Sequence, residues 1–405
     1  MLSRKLFQNR ILVKIWVVIL GAVILIGVTK VFLVKAEADA GQALRLTPSA
    51  TQLPGWDPQG LDEVFAYAAT LSTDALVIVT EGQTLGAFGK IEVPYHVHSI
   101  RKVFLSALVG QHIGAGAGRI RLEATLQELM IDDSPQPLSP VQRTVTVRHL
   151  LKSVSGINHP AAAEAGLTAE KNRRLGEREN LPGKVWAYNN WDYNALTTVF
   201  EKRTAMSVAE AFDLGIAQPL AMQDYVREDV SYLEAPERSR HKAAMFHMSA
   251  RDLARFGQLY LDKGVLESRR ILSDSWIERI TAEAVDTGDR GLRSRHGYLW
   301  WIPDADSGLP AASFWAWGFG QQALLIIPEW RSVIVHLSDT TEFRRRFFGL
   351  IQDDGLEPQA ALEKLIVLCR EPVEETAVFC AKDRFVSRSE FAELLRVIAN
   401  ARAEK

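Results

Sequence analysis

The sequence predicts a mixed α/β protein of the α+β kind. It should hold an antiparallel sheet flanked by helices, an all-α insertion lobe, and one transmembrane helix ahead of both. Three observations predict this. Apolar strand pairs stand at both ends of the main body: "DALVIVTEGQTLGAFGK" (74–90) reads as strand, Glu-Gly turn, strand, and "ALLIIPEWRSVIVHLSD" (323–339) as two strands around Pro-Glu-Trp-Arg. Helical periodicity dominates between about residues 100 and 290. Residues 11–34 are apolar, interrupted only by Lys14 and Lys30. Strands at both ends with helices between them imply one sheet completed by both termini, with a cleft against the helical lobe.

Taken in order, the N-terminal run comes first. Residues 15–29, "IWVVILGAVILIGVT", carry no charge, and the longer run exceeds the roughly 20 apolar residues a bilayer core requires. Arg4, Lys5, Arg10 and Lys14 precede it, and the mixed set Lys35, Glu37 and Asp39 follows. The positive-inside rule then places the bulk of the chain in the periplasm or extracellular space. A cleaved signal peptide, with small-residue sites in "AEADA" (36–40), is the competing reading and would make the protein secreted. The predicted organisation is a basic stub and anchor over 1–35, then a linker over 36–60 rich in turn formers ("LTPSATQLPGWDPQG"). The main domain runs over 61–345, and a helical C-terminal extension follows over 346–405. The extension holds "EPQAALEKLIVLC" and a second helix opened by a capping box, Ser387 and Glu390.

Composition narrows the function. The net charge of −2 provides no basic face and excludes nucleic acid as a partner. With 405 residues, 47% hydrophobic and 24% charged, the chain can bury a core of two lobes. Cys369 and Cys380 can pair in an oxidising compartment, and two buried thiols are equally compatible with the sequence.

The chemistry centres on "HVHSIRKVFLSALVG" (96–110), where Ser99 and Lys102 stand three apart at the start of an apolar helix. Positions i and i+3 share a helical face. A serine hydroxyl is a weak nucleophile until a base takes its proton, and a desolvated lysine has the lowered pKa to do so. The spacing alone reads as a helix start. A second match, Ser239 and Lys242 in "ERSRHKAAMF", lies in a charged stretch and reads as surface.

Context changes the weight of the first match. Downstream follow "TVTVRHLLKSVSGIN" (144–158), "WAYNNWDYNALTTVFEKRTAMSVAEAF" (186–212), "HMSARDLARFGQLYL" (247–261), "GYLWWI" (297–302) and "WAWGFGQQALLIIPE" (315–329). In this order the segments resemble the serine β-lactamase and penicillin-recognising hydrolase superfamily, and most closely its class C-like esterases and amidases, over about residues 62–339. The resemblance implies a β-lactamase/transpeptidase-like fold with Ser99 as acylated nucleophile and Lys102 as its base. Tyr188 of a Tyr-x-Asn motif would relay protons, its pKa lowered by the charge of Lys102. Asn190 would hold Lys102 or the substrate carbonyl. The third motif, commonly Lys-Thr-Gly, falls here on Ala316-Trp317-Gly318 followed by Phe319. No cation remains there for a substrate carboxylate, which favours neutral esters or amides. The backbone N–H groups of Ser99 and Phe319 would form the oxyanion hole, with Gly318 and Gly320 allowing close approach.

Trp300, Trp301, Trp315 and Trp317 read singly as core and together as a candidate apolar pocket. His96 and His98 invite a zinc reading but lack further ligands, so no metal and no cofactor is expected. His247 and His336 read as structural, and the charged run 170–179 as solvated. The expected function is a serine hydrolase acting through an acyl-enzyme on a small ester, amide or peptide-like substrate outside the cytoplasm, held to the membrane by its N-terminal helix. One alternative is a β-lactamase or D-Ala-D-Ala carboxypeptidase, with Arg293 or Arg295 replacing the missing cation. The other is a catalytically silent sensor on the same fold.

Overall fold

The computed structural model describes residues 55–164, 168–352, 355–356, 360–361, 364–365 and 386–402. The apolar run 11–34, Cys369 and Cys380 lie outside the described residues. Among the described residues no helix is long and apolar enough to cross a membrane.

The main sheet has eight strands, antiparallel throughout, in the order Gln83–Gly89, Ala75–Thr80, Ser332–Leu337, Gln322–Ile327, Phe314–Gly318, Trp300–Ile302, Arg295–Gly297 and Val285–Asp286. Both predicted strand pairs are present, and they meet: Ala75 pairs with Leu337 and Thr80 with Ser332. Every residue of Ala75–Thr80, Gln322–Ile327 and Ser332–Leu337 is buried, because helices cover both faces of the sheet. Such strands read as continuous apolar runs rather than alternating ones.

Leu76, Ile78, Leu325 and Ile334 face a core shared with Val64 and Ala68 of helix Pro58–Thr70 and with Phe391, Leu394 and Ile398 of helix Arg388–Asn400. Asp57 caps the first of these helices, and Ser387 with Glu390 forms the predicted capping box of the second. The opposite face carries helix Ala250–Leu261. A Cβ at Gly257 would come within 2.5 Å of Val333, so the glycine lets that helix lie flat on the strands.

The helical lobe contains helices Arg101–Gln111, Val147–Leu151, Thr168–Leu175, Asn190–Thr204 and Val208–Phe212. Phe104 ties the first of them into the lobe, its ring 5.0 Å from that of Phe212 and 4.9 Å from those of Phe246 and Phe256. One stretch read as helical is instead a hairpin, Val230–Ala235 with Ser239–Met248. Its period is two: Ser239, His241 and Ala243 point inward while Arg240 and Lys242 face solvent. Ser239 and Lys242 therefore lie on opposite faces, so the second Ser-x-x-Lys match forms no pair. Ser239 is buried, contrary to its surface reading, and donates to Asp133 Oδ1 at 2.8 Å.

Asp133 also accepts from Trp191 Nε1 at 2.6 Å, from the Arg240 N–H at 3.1 Å and from His159 Nδ1 at 3.2 Å. Burial alone would raise this carboxyl. The hydrogen bonds from His159, Trp191 and Ser239 outweigh it and hold the group at about 2. The run 170–179 is not wholly solvated either. Lys171 is buried, ion-paired with Glu164 and donating to the His159 carbonyl at 3.0 Å.

Candidate active site

Ser99 lies in a short 3-10 turn, His98–Ile100, that runs straight into helix Arg101–Gln111. The turn is held from both sides. Tyr95 and His96 pair with Met248 and His247, and the Val97 N–H donates to the Phe246 carbonyl at 3.1 Å. His98 adopts φ 49°, a left-handed backbone that costs a non-glycine residue about 1–3 kcal/mol. Its Nε2 lies 2.7 Å from Thr340 Oγ1, which fixes the ring on the far side of the turn. Within this turn the left-handed backbone falls on the residue immediately before Ser99.

Lys102 Nζ lies 2.8 Å from Ser99 Oγ. Ser99 is half-buried, whereas Lys102 is only 3% exposed. Among the described residues no carboxylate pairs with Lys102; its amine faces the rings of Tyr188 and Tyr193 at 4.9 and 5.0 Å. Burial first, and the neighbouring Arg101 guanidinium second, push its pKa well below that of an ordinary lysine. A neutral amine at this distance accepts the serine proton; a protonated one donates back to the same oxygen.

Tyr188 hydrogen-bonds Ser99 through its side chain. The sequence expectation of a lowered phenol pKa is overturned here. Burial dominates and pushes Tyr188 up to about 12, against the opposing pull of the Ser99 bond and the Arg101 charge. The group is a protonated phenol, suited to passing a proton rather than to acting as a standing phenolate. Its ring stacks on Trp301, with centroids 5.6 Å apart and planes at 12°.

Asn190 departs from its expected place. Its Nδ2 donates to the Ala163 carbonyl at 3.0 Å, and its buried Oδ1 has no hydrogen-bond partner among the described residues. No bond joins it to Lys102. Asn194, one helical turn on, instead accepts from Arg101 Nη2 at 3.4 Å.

The stretch read as the third motif lies beside the Ser99 turn. Strand Phe314–Gly318 packs beside the His98–Ile100 turn, and a Cβ at Gly318 would stand 2.6 Å from the Val97 carbonyl oxygen. The chain then turns through Gly320 at φ 76°. Phe319 lies against His98, with ring centroids 5.5 Å apart. Gly318→Ala must push the strand off the turn, because the colliding atom is backbone. We expect kcat to fall about 10²-fold, as for an ångström-scale misplacement of reacting groups, with the far-UV circular dichroism retained. Wild-type turnover by this variant would remove the strand from the site.

Among the tryptophans, Trp301 stacks on Tyr188, and Trp317 is half-buried, its Nε1 donating to Gln321 Oε1 at 3.0 Å. Trp300 packs on Tyr260 and Phe314, and Trp315 on Phe391, all in the core. His336 is buried between Thr73 Oγ1 (3.0 Å) and the Gln321 carbonyl (2.8 Å), a structural place as read. His96 lies edge-on to His98 and His247, at 4.2 and 5.1 Å between ring centres. Among the described residues no group of three or more His, Cys, Asp or Glu is arranged to hold a metal ion.

Three site residues escaped the sequence reading. Tyr193 closes the lysine pocket, its hydroxyl 2.7 Å from Ser153 Oγ; its i+3 relation to Asn190 was the available signal. Arg101 stands next to Lys102 and is 4% exposed. His296 lies under Trp301 at 4.9 Å, its pKa lowered to about 3 by burial first and by Lys102 second. Nothing local in the sequence marks it.

Comparison with known proteins agrees with this geometry. A family model described as Beta-lactamase matches residues 66–352. An uncharacterized protein of Alkalihalophilus pseudofirmus is 23% identical over 271 residues, which is 60% of this chain and 73% of that protein. Among solved structures, the octameric penicillin-binding protein homologue from Pyrococcus abyssi aligns with a TM-score of 0.51 at 19% identity, covering 74% of this chain and 78% of that one. A penicillin-binding protein homolog from Caulobacter crescentus aligns with a TM-score of 0.50 at 16% identity, covering 71% and 94% respectively. These two likenesses speak for the fold. The family match takes in the Ser99 turn, the Tyr-x-Asn segment and the strand beside them, and by it the chain belongs to the beta-lactamase family of hydrolases.

Proposed function

We propose that the protein is a serine hydrolase that cleaves a small ester or amide through an acyl-enzyme on Ser99. The observation that carries this reading is the buried Lys102 amine, 2.8 Å from Ser99 Oγ and without a described counter-ion. Neutral Lys102 takes the hydroxyl proton as Oγ attacks the carbonyl carbon. The backbone N–H groups of Ser99 and Phe319 take the charge that develops on the carbonyl oxygen. As the bond to the leaving group breaks, Tyr188 gives that group its proton and is reprotonated from Lys102. Water then attacks the acyl carbon, its proton passes through Tyr188 to Lys102, and Ser99 Oγ recovers a proton as the acid leaves. The basic stub and apolar run at the N-terminus support a place for this chemistry outside the cytoplasm, on a membrane anchor.

The test is a fluorophosphonate probe followed by mass spectrometry of the intact protein and its tryptic peptides. We expect a single adduct on the peptide of residues 91–101, which holds Ser99 as its only serine. Labelling of a different serine, or of none, sinks the reading.

A further inference from the structure

We infer that Tyr193 is a second catalytic tyrosine that acts through its ring rather than its hydroxyl: the π face stabilises the ammonium that Lys102 becomes on taking the serine proton. This rests on the hydrolase reading above.

The chemistry creates a charge in a poor place for one. As Ser99 Oγ bonds to the carbonyl carbon, its proton moves to Lys102 Nζ, so an ammonium forms while the oxyanion develops. That ammonium is buried and stands beside the Arg101 guanidinium of its own helix, and both circumstances disfavour it. His296, on strand Arg295–Gly297, lies within electrostatic reach of Lys102 and is held neutral by its own burial. Among the described residues no carboxylate pairs with Lys102, and its hydrogen-bond partner is Ser99 Oγ at 2.8 Å. An ammonium carries three N–H donors. Beyond that one bond the fold offers it two aromatic faces. Nζ lies over the ring of Tyr188 at 4.9 Å and over that of Tyr193 at 5.0 Å, inside the roughly 6 Å reach of a cation–π contact.

The two rings are not equivalent. The Tyr188 side chain bonds Ser99, whereas the Tyr193 hydroxyl lies 2.7 Å from Ser153 Oγ, and both Tyr193 and Ser153 are buried. Ser153 ties the pair together. Its carbonyl accepts from the N–H of Ala187, the residue before Tyr188, at 3.1 Å, and its own backbone stands at φ 57°. A left-handed serine persists only where its surroundings over-determine it. The two rings meet edge-on, with centroids 5.2 Å apart. With its hydroxyl committed to Ser153, Tyr193 presents a face to the amine. A neutral amine gains little from that face and an ammonium gains much. The contact is therefore stronger in the transition state than in the ground state, which is the condition for catalysis.

Removing the face and merely loosening the pocket move the lysine in opposite directions. Loss of the π face destabilises the ammonium and lowers the Lys102 pKa further; admission of water lets it rise toward about 10.4. The comparison in the full chain is Tyr193→Phe against 3,4,5-trifluorophenylalanine at the same position. The trifluoro ring keeps the shape of the phenyl ring but has almost no negative face, and both lose the Ser153 bond. We expect Tyr193→Phe to keep p-nitrophenyl butyrate turnover within about threefold of wild type. The trifluoro protein should lose about 3–30-fold relative to Tyr193→Phe in kcat/KM on the high-pH plateau. Its rising limb should move down by about 0.5–1.5 pH units. Equal plateaus and limbs in the two proteins, or an upward move in the trifluoro protein, overturn the proposal. The Cε chemical shift of Lys102 in isotope-labelled protein, assigned with Lys102→Arg, follows the same titration without substrate. A midpoint lower in the trifluoro protein than in Tyr193→Phe supports the contact even should Ser99 prove not to be the nucleophile; equal midpoints overturn it whatever the nucleophile is.

Discussion

Ser99→Ala should reduce ester turnover by at least ~10³-fold in kcat/KM, the scale on which loss of a nucleophile acts when the rest of a site still binds substrate. The fold should be untouched. Ser99 is half-buried at the head of a helix whose core contacts begin at Ile100, and alanine adopts the same helical turn. What the variant removes is the described hydrogen-bond partner of the Lys102 amine. Since burial already holds that amine toward its neutral form, no buried charge is stranded by the change. We therefore expect a melting temperature within a few degrees of wild type, with no burst of p-nitrophenol in a stopped-flow assay. A variant that keeps a tenth of the wild-type rate would remove Ser99 from the chemistry.

Replacing Lys102 should be almost as damaging, and it adds a pH test. Lys102→Arg keeps the positive charge but cannot act as a base, because a guanidinium stays protonated above pH 12. We expect a loss of about 10²–10⁴-fold, the usual contribution of a positioned base. In the wild type the active form is the neutral amine. Activity is therefore present above the depressed pKa of Lys102 and is lost as falling pH protonates it. The rising limb of log kcat/KM against pH should lie below the ordinary lysine value of about 10.4. Tyr188, pushed up to about 12, keeps its proton across that range and adds no falling limb of its own. A rising limb at the ordinary lysine value would contradict the burial of Lys102, and an active Lys102→Arg variant would end its role as base.

The parts of this site that were legible in the sequence are local or ordered along it. Ser99 and Lys102 share one helical turn, so their meeting follows from spacing once the helix is granted. Tyr188 and Gly318 were placed by the order of segments around them, and the fold brings both to the turn. The outer strand pairs were legible because their buried runs are continuous and bounded by turns. The hairpin of 230–248 was missed because its charged outward residues hid a period of two inside a charged run. Asn190 was misplaced because sequence order fixes a position on a helix but not which carbonyl an amide finds. The Tyr188 shift was read with the wrong sign because proximity to a cation is visible in a motif, whereas desolvation depends on everything packed around it. Arg388 meets Trp317 only through the docking of the C-terminal helix, and no local pattern carries that information.

The strand pairing next to one edge of the sheet bears on how the chain is made. Ala75–Thr80 is flanked by Gln83–Gly89 on one side and by Ser332–Leu337 on the other, with Thr80 opposite Ser332. During N-to-C synthesis at about 5–20 residues per second, its second neighbour emerges from the ribosome roughly 10–50 s after the first. Through that interval the nascent polypeptide presents Ala-Leu-Val-Ile-Val-Thr with an open edge, a segment suited to chaperone capture and to self-association. This pairing thus cannot close until the last fifth of the chain has been translated.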